Sequence, residues 1–236
     1  MKTLTKTLNL DLQDNFILES ETPLTVIDFG CGKNCLDYLE MKEIFDKIKK
    51  CYFIDKHFGK DSYHMNPWSI RQLKTYMKVR MGQLYPIDIK PGFGYNHDYL
   101  MKKIIVKNLD MLEFKNVFPR IKADVIVLRN VLHFYNKDTI IPFMRTLHSM
   151  LTPIEKIFIT NYTTLNKEEF YCISKNDASY RGSNRLTYYL YSMEEMIHIY
   201  HIGILFEYDT NPRPDRPYIH DQPNKPTEFS LKKINK

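Results

Sequence analysis

Between Thr25 and about Thr160 the chain alternates short β-branched runs with stretches of helical spacing, and this constrains the fold more than any other feature. A strand, a covering helix and the next strand form a unit whose strands must run parallel. The runs are TVIDF (25–29), CYFID ending at Asp55, KIIVKNL (103–109), DVIVL (124–128) and KIFIT (156–160); ILFEYD and TEFSLKKI (227–234) read as later strands. Leu36, Leu39, Ile44, Phe45 and Ile48 recur at helical spacing and predict an amphipathic helix after the first strand. Asp138 is expected to cap a helix reaching Leu151, with Ile140, Phe143, Met144, Leu147 and Leu151 on one stripe and Pro142 in its first turns. Ser192 and Glu195 form a capping box for a helix ending near Gly203.

The expectation is therefore an α/β fold: a single three-layer domain over residues 1–236 around a mostly parallel sheet. About 48 residues separate the second and third strands, longer than an ordinary crossover, so a lid or insertion is expected at about 60–100. It holds the basic stretch SIRQLKTYMKVRM (69–81). Five of the 12 prolines fall in 209–226, which reads as a loop. With 43% hydrophobic and 26% charged residues, the chain can bury a full core. The net charge of +6 permits a nucleic-acid partner, but so modest a surplus favours a solubility role.

Cys31, Cys35, Cys51 and Cys172 lack paired metal-ligand spacing and read as free thiols, so no metal is expected. Asn9, Asp11 and Asp14 interrupt any apolar leader, and no stretch approaches the roughly 20 apolar residues that cross a bilayer. A soluble, cytoplasmic protein without membrane association is expected.

Glycine is scarce, with only 8 residues, yet Gly30 and Gly32 cluster at the end of the first apolar run. They flank Cys31 where a backbone would turn tightly or approach a ligand. In an open parallel sheet, ligands bind outside the carboxyl ends of the strands where strand order reverses. Those ends carry Asp28, Asp55, Asp110 and the segment Arg129 to His133. A pyrophosphate there would be opposed by Asp28, since unit charges 4 Å apart repel by about 1 kcal/mol even in water. The third glycine of a dinucleotide fingerprint is replaced by Cys35. A cationic ligand suits the edge better, with Asp55 placed to accept ribose hydroxyls.

VIDFGCGKN, Asp55, NLDMLEF and DVIVLRNVLHFY, in that order, resemble the motifs of class I S-adenosylmethionine-dependent methyltransferases over roughly residues 24–210. The resemblance implies a Rossmann-like, seven-stranded sheet with an antiparallel carboxyl-terminal strand, and S-adenosylmethionine as cofactor. It implies that Asp28 orients the methionine end, that Gly30, Cys31 and Gly32 allow close backbone approach, and that Asp55 binds the ribose. Asp110 and the Met111 backbone would meet the adenine amino group, and Arg129 and Asn130 would line the methionine side. Thr152-Pro153-Ile154 departs from the family's proline-glycine-glycine turn.

Methyl transfer chiefly needs alignment and exclusion of water. His133 is the candidate base if the acceptor carries a proton, with Tyr135 second; a packed histidine is the competing reading. DVIVLRNVLHFYNKDT is similar to chemotaxis receptor methyltransferases and VIDFGCGKN to messenger-RNA cap guanine methyltransferases, so the acceptor stays open between small molecule, protein and RNA. His198 and His201 read as a surface pair. Arg71, Lys74, Lys78 and Arg80, beside Trp68 and Tyr76, could meet RNA, but a solvated lid face is favoured. Residues 179–191 could close over an acceptor or form an edge strand. A non-catalytic cofactor-binding or interaction subunit is the alternative function; a nucleotide-linked oxidoreductase is disfavoured by Asp28 and Cys35.

Overall fold

The computed structural model describes residues 12–31, 42–56, 71, 74–75, 77, 79, 101–129, 131–161, 163–164, 189, 191–210 and 227–235. After helix α1 (Leu12–Glu19), strand β1 (Leu24–Phe29) runs parallel to β2 (Ile48–Ile54) on one side and to β4 (Ala123–Arg129) on the other. β3 (Ile104–Lys107) pairs with β2, β5 (Leu151–Asn161) with β4, and β9 (Thr227–Lys233) runs antiparallel between β5 and β8 (Phe206–Thr210). The seven-stranded order is β3-β2-β1-β4-β5-β9-β8, so the chain reverses direction of travel at β1, and it is outside the carboxyl ends of the strands at such a reversal that open α/β sheets bind ligands. A separate parallel pair joins β6 (Thr163–Thr164) to β7 (Tyr191–Ser192).

The central strands are buried on both faces, which is why their sequences read as continuous apolar runs rather than alternating ones. Period-two geometry still assigns each residue a face. Ile27, Phe29, Ile126 and Leu128 join the cluster beneath α4 (Lys137–Met150) and α5 (Met193–Ile199), while Val26, Cys51, Phe53, Val125 and Val127 pack with Ile44 and Phe45 of α2 (Lys42–Asp46). Phe29 contacts Phe114, on the short helix α3 (Phe114–Val117), at 5.2 Å and Phe143 at 5.7 Å, both edge to face. At the opposite edge of the sheet, Asp124 accepts the Thr25 N–H at 2.7 Å and the Thr152 hydroxyl at 3.2 Å. One carboxylate thus registers the starts of β1, β4 and β5.

Several local expectations are corrected. Ile48 is not on the helical stripe: the helix ends at Asp46 and Ile48 opens β2 opposite Leu24, where the growing sheet takes a β-branched residue. Leu36 and Leu39 lie outside the described residues. Asn136, not Asp138, caps α4, its side chain accepting the Thr139 N–H at 3.0 Å; Asp138 stands inside the first turn, where the helix dipole favours a negative charge. Pro142 therefore lies six residues past the cap, beyond the free N–H groups, and removes one helical bond. α4 stops at Met150 because Leu151, extended at ψ 144, already begins β5. α5 ends at Ile199, four residues before Gly203, and the left-handed His201 (φ 54) takes the chain out of it. Asp209 and Thr210 belong to β8 rather than to the proline-rich loop. The rest of that loop and most of residues 60–100 fall outside the described residues; of the basic stretch, Arg71 and Lys74 are helical and exposed, and Met77 is helical and buried in the core.

Candidate functional site

By strand parity Asp28 shares the face of Val26, and its register partners Phe53 and Val127 are core residues of that face. Its carboxylate is 0% exposed, in a row where packing alone would select an aliphatic side chain. Arg129, two residues beyond Val127 and hence on the same face, donates from Nη2 to Asp28 Oδ2 at 3.4 Å. The pair joins the carboxyl ends of β1 and β4, one on each side of the reversal.

Gly30 closes β1 in the left-handed region at φ 65, its N–H bonded to the Ile54 carbonyl at 2.7 Å. A Cβ at this position would lie 2.7 Å from Val131 Cγ2 and 2.9 Å from its Cβ. Both conformation and space demand glycine, so the backbone here passes unusually close to the loop after β4. Cys31 is buried beside it. Gly32 and Asn130 lie outside the described residues.

The second acid, Asp55, sits at the end of β2 and is 6% exposed. Its backbone is stitched to the end of β3 through the Lys107 carbonyl at 3.2 Å and the Leu109 N–H at 3.3 Å. Asp110 follows β3 and caps the turn Met111–Glu113, accepting the Leu112 N–H at 3.0 Å; Met111 is buried in the core. Asp28, Asp55, Asp110 and Arg129 are therefore gathered along the carboxyl ends of four adjacent strands.

His133 lies in the turn Leu132–Phe134 after β4, 2% exposed, with its carbonyl accepting the Tyr189 N–H at 2.7 Å. Tyr135 reaches the acidic end of the site: its hydroxyl contacts both Asp110 oxygens, at 3.2 and 3.3 Å. Burial, then the charge of Asp110 and the hydrogen bond to it, then the charge of Asp55, push the Tyr135 phenol well above its ordinary range. It is therefore a hydrogen-bond donor at neutral pH and not a base. Lys56 completes this corner, with Nζ 3.2 Å from the Tyr135 hydroxyl, 3.5 Å from Asp110 Oδ2 and 4.8 Å above the Tyr135 ring. Sequence reasoning passed over Lys56, whose only signal was its place directly after Asp55. His198 is exposed, and no helix among the described residues is long and apolar enough to cross a membrane.

The sheet order, with its antiparallel pair at one end, is the class I methyltransferase fold, and solved structures share it. No protein-family model and no curated protein matches the sequence. The chain is similar to the Burkholderia thailandensis 1,6-didemethyltoxoflavin-N1-methyltransferase with bound S-adenosylhomocysteine, with a TM-score of 0.54 and 12% identity over 91% of this chain and 72% of that one. An rRNA methylase from Streptococcus thermophilus gives 0.50 and 11%, covering 94% of this chain and 95% of its own. An O-methyltransferase family protein from Burkholderia thailandensis gives 0.51 and 12%, with 94% of this chain covered. Of three of the matched chains this one spans little more than half, 57%, 54% and 55%.

Proposed function

We propose that the protein is an S-adenosylmethionine-dependent methyltransferase. The observation that carries the reading is the Asp28 carboxylate buried in an apolar row beside the glycine-only turn at Gly30. Asp28 is paired with Arg129 at 3.4 Å, and a buried ion pair adds little stability over well-packed apolar side chains, so keeping one at the ligand-binding edge argues for a ligand that uses it. The donor set fits S-adenosylmethionine: Asp28 and Arg129 for the charged methionine end, Asp55 for the ribose hydroxyls, Asp110 and the Met111 backbone for the adenine edge. Gly32 and Asn130 complete the set on sequence grounds.

When bound, this cofactor supplies an electrophilic methyl carbon attached to a positive sulfur. The chain's work is then to align an acceptor with that carbon and keep water away. The close approach at Gly30 leaves no room for solvent between the β1 turn and Val131. His133 would take a proton from the acceptor on one ring nitrogen as the acceptor atom attacks. At 2% exposure its ring is reached only when the side chains packed on it move. The same burial favours a second reading, a cofactor-binding subunit that does not turn over.

The acceptor is a small molecule, a protein or an RNA; the pairing of motifs selects none of them. Calorimetric titration with S-adenosylhomocysteine tests the reading. Stoichiometric binding that Asp28→Ala and Asp55→Ala each weaken tenfold or more, as loss of a charged hydrogen-bond partner predicts, supports it. Unchanged affinity in both variants refutes the site.

A further inference from the structure

Asp110 is held more firmly than a residue meeting one adenine amino group requires. The Leu112 N–H fixes Oδ1 at 3.0 Å, the Tyr135 hydroxyl spans both oxygens, and the Lys56 ammonium approaches Oδ2 at 3.5 Å. An ionised carboxylate offers about four acceptor sites, so these donors leave at least one open. Tyr135 is itself anchored on both sides. Its N–H bonds the Leu132 carbonyl at 3.0 Å, its carbonyl accepts the hydroxyl of the fully buried Tyr191 at 3.1 Å, and the next residue caps α4. The phenol therefore carries the rigidity of the β4 side of the cleft across to the β3 side, while Lys56 extends from the residue beside Asp55.

We propose that Tyr135 and Lys56 are positioning residues for nucleoside recognition: together they orient Asp110 so that its open acceptor site selects a purine bearing a 6-amino group. The inference rests on the cofactor reading above. Under it, discrimination of adenine from hypoxanthine belongs to a three-residue cluster and not to Asp110 alone. A 6-amino group donates to the free site, whereas a 6-carbonyl oxygen there meets a carboxylate with no proton to share. Tyr135 is suited to the task because its raised ionisation keeps the hydroxyl a donor. Lys56 sets a positive charge beside Asp110 Oδ2.

The test measures dissociation constants of S-adenosylhomocysteine and S-inosylhomocysteine, which differ at purine position 6, for the wild type and three variants. The wild type is expected to favour the adenosine compound by roughly tenfold to a hundredfold, the range of a hydrogen bond to a charged group. Tyr135→Phe keeps the ring and Lys56→Met keeps the stem, and each should lower that ratio at least several-fold, whereas Lys56→Arg should retain it. A ratio unchanged in both Tyr135→Phe and Lys56→Met overturns the proposal, as does tighter binding of both compounds to Tyr135→Phe, which would make the phenol an obstruction. A wild type that binds neither compound defeats the cofactor reading itself, and the proposal with it.

Discussion

Replacing Gly30 by alanine isolates the turn on which the site is built. Two costs can be read from the geometry. A left-handed conformation at φ 65 costs a residue with a Cβ roughly 1–2 kcal/mol. Overlap with Val131, at 2.7 and 2.9 Å, adds about 1–3 kcal/mol, the usual penalty for an extra carbon in a packed interior. The 2.7 Å bond from the Gly30 N–H to Ile54 prevents the turn from swinging away to relieve either. Together they come to about 2–5 kcal/mol, a large part of the 5–15 kcal/mol that holds a domain folded. For a chain of this size that is a fall of roughly 4–20 °C in Tm. Urea denaturation of the wild type, Gly30→Ala, Val131→Ala and the double variant separates the parts: the double variant should regain the overlap with Val131 Cγ2 and keep both the contact with the residue 131 Cβ and the conformational cost. A Gly30→Ala protein melting within about 1 °C of wild type would refute the reasoning, since neither strain nor overlap would then be real.

Other outcomes follow from the same structure. Asp28→Asn removes the buried carboxylate charge that Arg129, whose side chain is only 12% exposed, meets at 3.4 Å, and should cost about 3–5 kcal/mol in chemical denaturation. Asp124→Ala removes the acceptor for the Thr25 N–H and the Thr152 hydroxyl; stability should fall by roughly 1–3 kcal/mol, with S-adenosylhomocysteine affinity unchanged because Asp124 sits at the far edge of the sheet. Tyr135 and Tyr191 are both raised, chiefly by burial, so the unfolded chain loses these protons near pH 10 while the folded chain keeps them. Their contribution is fully present below about pH 10 and is lost as pH rises further, so Tyr135→Phe should flatten the alkaline fall in stability measured by urea titration. His133→Ala should abolish or slow methyl transfer to an acceptor once one is found, with cofactor affinity intact; full turnover would remove the histidine from the mechanism.

The strands were legible because five of them are short apolar runs, buried on both faces at the centre of the sheet, and their carboxyl ends fell where the polar residues begin. Asp28 and Asp55 were legible for the same reason: a carboxylate ending an apolar run is conspicuous. What the chain hides is anything decided by competition between neighbours or by distant contact. Asn136 and Asp138 are both good caps, and only the backbone of Thr139 chooses between them. Ile48 suits a helix stripe and a strand equally, and its pairing with Leu24 resolves the choice. Lys56, Asp110 and Tyr135 are spread over 79 residues of sequence and meet only because β2, β3 and β4 end on one edge. No local pattern announces such a cluster.

Whether the carboxyl edge of β1 holds S-adenosylmethionine and not a dinucleotide is tested by a thermal-shift comparison of S-adenosylhomocysteine with NAD. At a ligand concentration about a hundred times the dissociation constant, binding to the folded state adds about 2.7 kcal/mol. For a chain of this length that is a rise of roughly 5–11 °C. Such a rise is expected with S-adenosylhomocysteine and none with NAD. Stabilisation by NAD alone would contradict it.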